Sequence, residues 1–269
     1  MLPLILAALI WGTTPIAAKL AYAQGTSPLV VVEVRLATGA LLFALYLRSF
    51  RVSRLVSREL LTLAVFGLAA NFLTYHLAVR YTSAAAAQVL ESTSVAFAAL
   101  LAFLLREEMP GKRRLLAVMA SLAGSALIFY SHAGISLLGD ALALLAALTW
   151  ALFTVLASRL LAQQREEEVL LSAFGIAALA LLPFASVSAA ISLSGAVIAL
   201  AMGVVHTFLA YLLYFRGIAE AKPIAASIAF ALSPVVAIAL SALLLREALS
   251  SAFFAGAALI LAGIALVRR

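Results

Sequence analysis

The chain has 269 residues, 66% of them hydrophobic and 11% charged, with a net charge of +7. A soluble domain is about 45–50% apolar and about 25% charged, so this composition cannot cover a water-facing surface, and its solvent is lipid. Lys and Arg sit in short connectors rather than along one face, which argues against a nucleic-acid partner. The absence of cysteine removes disulfides, thiolate metal sites and cysteine catalysis.

A membrane-crossing helix needs roughly 20 apolar residues. The apolar runs predict an all-α integral membrane protein of ten such helices, near 2–22, 28–48, 60–81, 84–105, 113–131, 138–160, 168–190, 195–215, 224–245 and 250–267. The first run lacks the basic flank of a signal peptide and is expected to be retained. It carries Trp11, Pro15 and Lys19. Lys19 either snorkels to the surface or offers charge to a substrate carboxylate. In the second helix Glu33 and Arg35 lie on different faces and do not pair; a structural role is expected for Arg35, by snorkelling or by binding carbonyls at a helix end. The third carries Asn71, Thr74, Tyr75, His76 and Arg80. Asn71 and Tyr75 share a face, with His76 on the flank.

The third and fourth helices join tightly as a hairpin. Glu91 lies about two turns into the fourth, among Gln88, Ser92 and Thr93. An ionised carboxylate there needs a partner, and the hairpin offers His76 or Arg80. Without one, Glu91 would take up a proton and could carry it as a coupling ion; a static hydrogen-bonded role is the plainer reading. The eighth helix carries His206, Thr207, Tyr211 and Tyr214. Pro15, Pro183 and Pro234 are expected to interrupt their helices, with Pro15 and Pro234 as gating positions. Gly124, Gly256 and Gly263 lie among alanines in the fifth and tenth helices, where small residues allow close approach, as supports or as a dimer face.

One pattern is written twice. GLAANFLTYHLAVR (Gly67 to Arg80) answers GVVHTFLAYLLYFR (Gly203 to Arg216), LLAFLLRE (Leu100 to Glu107) answers LSALLLRE (Leu240 to Glu247), and Trp11 answers Trp150. Two repeats, 1–131 and 137–269, are expected. Five helices in each is an odd number, so the second copy is turned over, as in carriers with inverted repeats. Lys and Arg set the orientation. With the N-terminus inside, the inner connectors hold Arg48, Arg51, Arg54, Arg58, Arg106, Lys112 and others, against Lys19, Arg80 and Arg246 outside; both termini are expected in the cytoplasm. Tyr75 and Tyr211 share a repeat position, as do Phe72 and Phe208. These faces are expected to line a common cavity, the alternative being packing or interfacial anchoring. Trp11 and Trp150 lie deep in their helices, as cavity walls or as packing residues.

WGTTPIAAK (Trp11 to Lys19), VRLATGALL (Val34 to Leu42) after Pro28, YTSAAAAQVL (Tyr81 to Leu90), and LREE and LREA at the repeat ends resemble the motifs of the EamA family, in the drug/metabolite transporter superfamily. The resemblance covers nearly the whole chain and implies a ten-helix carrier of small metabolites. It is often an exporter in bacterial inner membranes, with the first, third, fourth, sixth, eighth and ninth helices around a midplane cavity. Aromatic-amino-acid exporters of this family share the size and plan. One departure is Ser94, where the family pattern has proline in the fourth helix; the ninth keeps Pro234.

The expected function is secondary transport, exporting small metabolites, amino acids first and aromatic ones favoured, by alternating access. The candidate substrate-binding residues are Trp11, Asn71, Tyr75, His76, Glu91, Trp150, His206, Tyr211 and Tyr214. No enzyme, cofactor or metal site is expected: His76, His132 and His206 have no neighbour at ligand spacing, and there is no phosphate loop. The expected partners are a small-molecule substrate and the bilayer, with the chain a monomer or weak homodimer. A nucleotide-sugar or phosphate-ester antiporter would need several cavity cations. A membrane enzyme would need acid and base residues clustered at one interface, and an assembly subunit would need no cavity.

Overall fold

Serine starts helices along this chain. Ser83 accepts a hydrogen bond from Ala86 N at 3.0 Å, Ser192 from Gly195 N at 3.0 Å, Ser57 from Leu60 N at 3.1 Å and Ser250 from Phe253 N at 3.1 Å. Each satisfies an N–H that the first helical turn leaves without a partner. The need is sharpest in lipid, where no water can serve. The computed structural model describes residues 2–47, 57–104, 111–131, 137–187, 190–220 and 223–267. Among them all regular structure is helical.

The helices are α1 (Leu2–Ala23), α2 (Pro28–Leu47), α3 (Arg58–Tyr81), α4 (Ala84–Leu104) and α5 (Lys112–Ser131) in the first half. In the second they are α6 (Leu137–Leu161), α7 (Glu166–Val187), α8, α9 (Pro223–Leu244) and α10 (Ser251–Val267). Helix α8 runs as Leu193–Met202, a π-helical segment Gly203–Leu209, and Ala210–Glu220. A second π-helical segment, Leu63–Ala69, lies in α3. Among the described residues, seven helices (α1 to α4 and α6 to α8) are long and apolar enough to cross a membrane; α5, α9 and α10 carry the shorter apolar stretches Leu115–Tyr130, Leu232–Leu244 and Ser251–Leu266. Leu116, Met119, Leu179, Phe184 and Leu243 are exposed on the outside, which suits lipid as the surrounding solvent.

The proline expectation is corrected. Pro15, Pro183 and Pro234 lie inside continuous helices, because neighbouring helices hold a membrane helix together around the one hydrogen bond that proline removes. The break comes instead in α4, which has no proline. After Glu91 the chain turns at Ser92 and Thr93 and resumes at Ser94. Ser92 Oγ donates to Gln88 O at 2.8 Å and Thr93 Oγ1 to Leu90 O at 2.7 Å. These hydroxyls compete for the carbonyls of the helical ladder.

The helix contacts form a regular set. Helix α1 rests on α8 and α9, and α6 on α3 and α4; α2 meets the π segment of α8, and α7 that of α3; α2 pairs with α7, and α5 with α10. Exchanging the first five helices for the second five returns the same set of pairs. The helix ends also meet. Lys19 Nζ, near the end of α1, donates to Thr82 O at 2.8 Å, and the Thr82 hydroxyl donates to Asp140 Oδ1 at 2.6 Å in the first turn of α6. Ser27 N donates to Ala190 O at 2.8 Å, just before α8. Helix α1 therefore finishes where α6 and α8 start.

Between α5 and α10 the small residues face each other within one chain. A Cβ at Gly124 would stand 2.5 Å from Gly256 O, and one at Gly256 would stand 2.6 Å from Gly124 O. At these two glycines the close approach is between α5 and α10 of one chain.

Candidate functional site

Arg35 does not snorkel. Its residue is 4% exposed, and its guanidinium lies over the Phe72 ring at 4.7 Å. Nη1 donates to His76 Nε2 at 2.6 Å and Nε donates to Thr207 Oγ1 at 3.2 Å. A guanidinium has no acceptor, so His76 Nε2 holds a lone pair and the ring proton sits on Nδ1. That N–H meets Tyr22 Oη at 2.5 Å, and the Tyr22 hydroxyl donates to His76 O at 3.2 Å. Arg35, His76 and Tyr22 thus form one directed chain across α2, α3 and α1. Sequence reasoning assigned Arg35 to structure; the signal for a site was that a basic residue well inside an apolar span defaults to function.

Glu91 has a different environment from the one expected. Its partners are neither His76 nor Arg80 but two side-chain amides: Asn71 Nδ2 donates to Oε1 at 3.1 Å and Gln88 Nε2 to Oε2 at 3.4 Å. Asn71 also donates to Ala146 O at 2.9 Å, and Tyr75 Oη donates to Gln88 Oε1 at 2.6 Å. His76 is turned toward α1 and α2, which removes it from the reach of α4. Both Glu91 oxygens receive N–H donors, the arrangement an ionised carboxylate takes.

Helix α3 divides the two charges. Asn71 and Tyr75 are four residues apart and form one stripe; Phe72 and His76 form the next, about 100° around the axis. Arg35 rests on the second stripe and Glu91 on the first. Both line one cavity, part of it open to solvent. Thr14 and Ser233 also line it; their hydroxyl oxygens are buried and have no partner among the described residues.

An aromatic cluster forms another part of the wall. Trp11 meets Trp150 at 5.9 Å and Tyr211 at 5.4 Å edge to face, and Trp150 stacks on Phe153 at 5.1 Å. Trp11 Nε1 donates to His206 O at 3.1 Å, so the π segment of α8 supplies an acceptor to Trp11 and, through Thr207, to Arg35. Such widened turns recur at functional sites.

Of the expected site residues, Trp11, Asn71, Tyr75, His76, Glu91, Trp150 and Tyr211 line the cavity, while His206 and Tyr214 do not. His206 Nε2 meets Thr13 Oγ1 at 2.8 Å, and Tyr214 packs on Trp11 at 5.0 Å, so both stand behind the wall. Pro15 and Pro234 sit beside the lining residues Thr14 and Ser233. Lys19 lies away from the cavity, 3.8 Å from Glu247. Among the described residues no group of three His, Asp or Glu side chains could hold a metal ion.

The family model described as the EamA-like transporter family matches residues 1–130 and again residues 137–269. A protein of Archaeoglobus fulgidus named an uncharacterized transporter is 34% identical over 137 residues, which is 48% of this chain and 46% of the relative. That match spans less than half the length of this relative. A protein of Clostridium kluyveri with the same name is 27% identical over 280 residues, 97% of this chain and 90% of the relative. A solved crystal structure superposes on 99% of this chain and 96% of its own, with a TM-score of 0.72 at 19% identity, a likeness of fold.

Proposed function

The chain belongs to the EamA-like transporter family, and from that premise we propose that this multi-pass membrane transporter exports small metabolites, amino acids first and aromatic ones above all, by alternating access. It acts as a carrier and not as an enzyme. The observation that carries the reading is the cavity itself. Its wall combines the Trp11, Trp150 and Tyr211 rings with the polar side chains of Arg35, Asn71, Gln88 and Glu91, the mix of apolar area and a few placed polar groups that small-molecule sites use. Arg35 is the one Lys or Arg among the described lining residues, which disfavours a phosphate-ester or nucleotide-sugar antiporter.

The repeats 1–131 and 137–269 form inverted bundles of five spans, with both termini in the cytoplasm. The exchange-symmetric packing and the meeting of the α1 end with the α6 start support this reading. At that same end Glu247, just beyond α9, accepts from Ala84 N at 2.7 Å and Ala85 N at 3.2 Å while facing Lys19. We read this bridge as the latch of the outer gate: opening outward draws α9 from α4 and α1 and must break it. Pro15, Pro234 and the α4 turn at Ser92 are the bending points.

The deciding experiment is counterflow in proteoliposomes with radiolabelled amino acids. Saturable exchange led by phenylalanine, tyrosine or tryptophan is the expected result. Exchange of other metabolites without any amino acid would reject the substrate assignment, and no exchange of any small metabolite would reject transport by this cavity.

A further inference from the structure

The amino-acid reading leaves open which atoms of the guest are recognised, and the two buried charges answer this. Arg35 has no carboxylate partner among the described residues. Its contacts are a neutral imidazole, a hydroxyl and a ring face. Glu91 has no cationic partner among them; its oxygens take two neutral amides. The charges do not pair with each other, because the Phe72–His76 stripe holds one and the Asn71–Tyr75 stripe holds the other. A buried charge served only by neutral partners is costly. Two of opposite sign facing one cavity attract each other across it, and a guest that supplies both complements at contact distance lowers the cost further.

We infer that the cavity is a socket for a zwitterion, with Arg35 taking the carboxylate of an α-amino acid and Glu91 its ammonium group, while the side chain lies toward Trp11 and Trp150. Arg35 suits the first role because a guanidinium can present two parallel N–H groups to a carboxylate, and no acceptor among the described residues engages Nη2. His76 and Thr207 fix the plane of that fork. Asn71 and Gln88 aim the Glu91 carboxylate without neutralising it. The pair of charges sums to zero, so a simple amine leaves Arg35 unanswered and a simple acid leaves Glu91 unanswered. Rejection of such analogues follows from buried groups left unpaired, a discrimination far larger than a hydrophobic pocket achieves.

The test uses the full chain in detergent and in proteoliposomes. Two trios serve as probes: phenylalanine with 2-phenylethylamine and 3-phenylpropanoate, and leucine with 3-methylbutylamine and 4-methylpentanoate. The expected result is that the amine and the acid compete for binding about 100-fold or more weakly than the amino acid, in line with the loss of a charged partner. Arg35→Gln should then weaken the amino acid and shift preference toward the amine, Glu91→Gln should shift it toward the acid, and Arg35→Lys should recover part of the amino-acid binding. Amine or acid competing equally with the amino acid on the unaltered protein overturns the inference while leaving amino-acid transport standing, whether or not the variants fold. Equal weakening of all three probes by both variants also overturns it. Failure of both amino acids to bind, with their analogues, overturns the amino-acid reading and this inference together.

Discussion

Arg35 and His76, both basic, meet head to head at 2.6 Å with the guanidinium as donor. The contact works only because the imidazole is neutral and turns its lone pair to α2. It couples α2 to α3, and through Tyr22 to α1, at the wall of the cavity.

Replacing His76 with Leu removes the acceptor of Arg35 Nη1 and the ring N–H that meets Tyr22, while the Tyr22 hydroxyl keeps the backbone carbonyl of residue 76. The expected cost is about 1–3 kcal/mol for the Arg35 donor left unbonded, seen as a lower thermal unfolding temperature in detergent. His76→Gln keeps an acceptor and should lose less. Equal stability of His76→Leu and the unaltered protein would contradict the assigned chain.

Trp150 lies between Phe153, Trp11 and Tyr211. Each aromatic pair adds about 0.5–1.5 kcal/mol beyond its area. Trp150→Ala should raise the half-saturation concentration of exchange by about tenfold, the equivalent of ~1.4 kcal/mol. Unchanged exchange kinetics would remove Trp150 from the wall of the binding site.

Glu247→Ala deletes an acceptor for two N–H groups of α4 and the neighbour of Lys19. The chain has no cysteine, so Ser94→Cys places a single thiol at the cavity. An impermeant maleimide added from the outer side should modify it several-fold faster when Glu247 is Ala. An unaltered labelling rate would mean that the bridge does not hold the outer gate.

Gly124→Val drives a side chain into Gly256 O and Ile260. Overpacking of this kind costs about 1–3 kcal/mol. No described residue of α5 or α10 lines the cavity, so unfolding should shift while the half-saturation of transport stays the same. A shifted half-saturation would show that this helix pair bears on the site.

A reporter fused after Arg269 should be active on the cytoplasmic side, as the Lys and Arg of the inner connectors require. Activity on the outer side would invert the proposed topology and exchange the inner and outer gates.

The helix limits were legible in the sequence to within a few residues, as for the run 84–105 against Ala84–Leu104. Lipid forces every backbone group into a helix, and the serines and connectors say where each starts. Trp11, Trp150, Tyr75 and Tyr211, which the sequence singles out as polar or aromatic residues deep in apolar helices, line the cavity. The role of Arg35, the amide partners of Glu91 and the placing of His206 and Tyr214 behind the wall were not legible.

Apolar composition and local capping by themselves determined an all-helical chain for lipid. Those properties depend on residues close together along the chain. Only the tertiary structure decided which faces converge: Arg35 meets His76 and Thr207, 41 and 172 residues away, and the α4 break falls at Ser92 and Thr93 rather than at a proline. A helix repeats its faces every 3.6 residues and carries no record of its own rotation against its neighbours, which packing across the two halves sets.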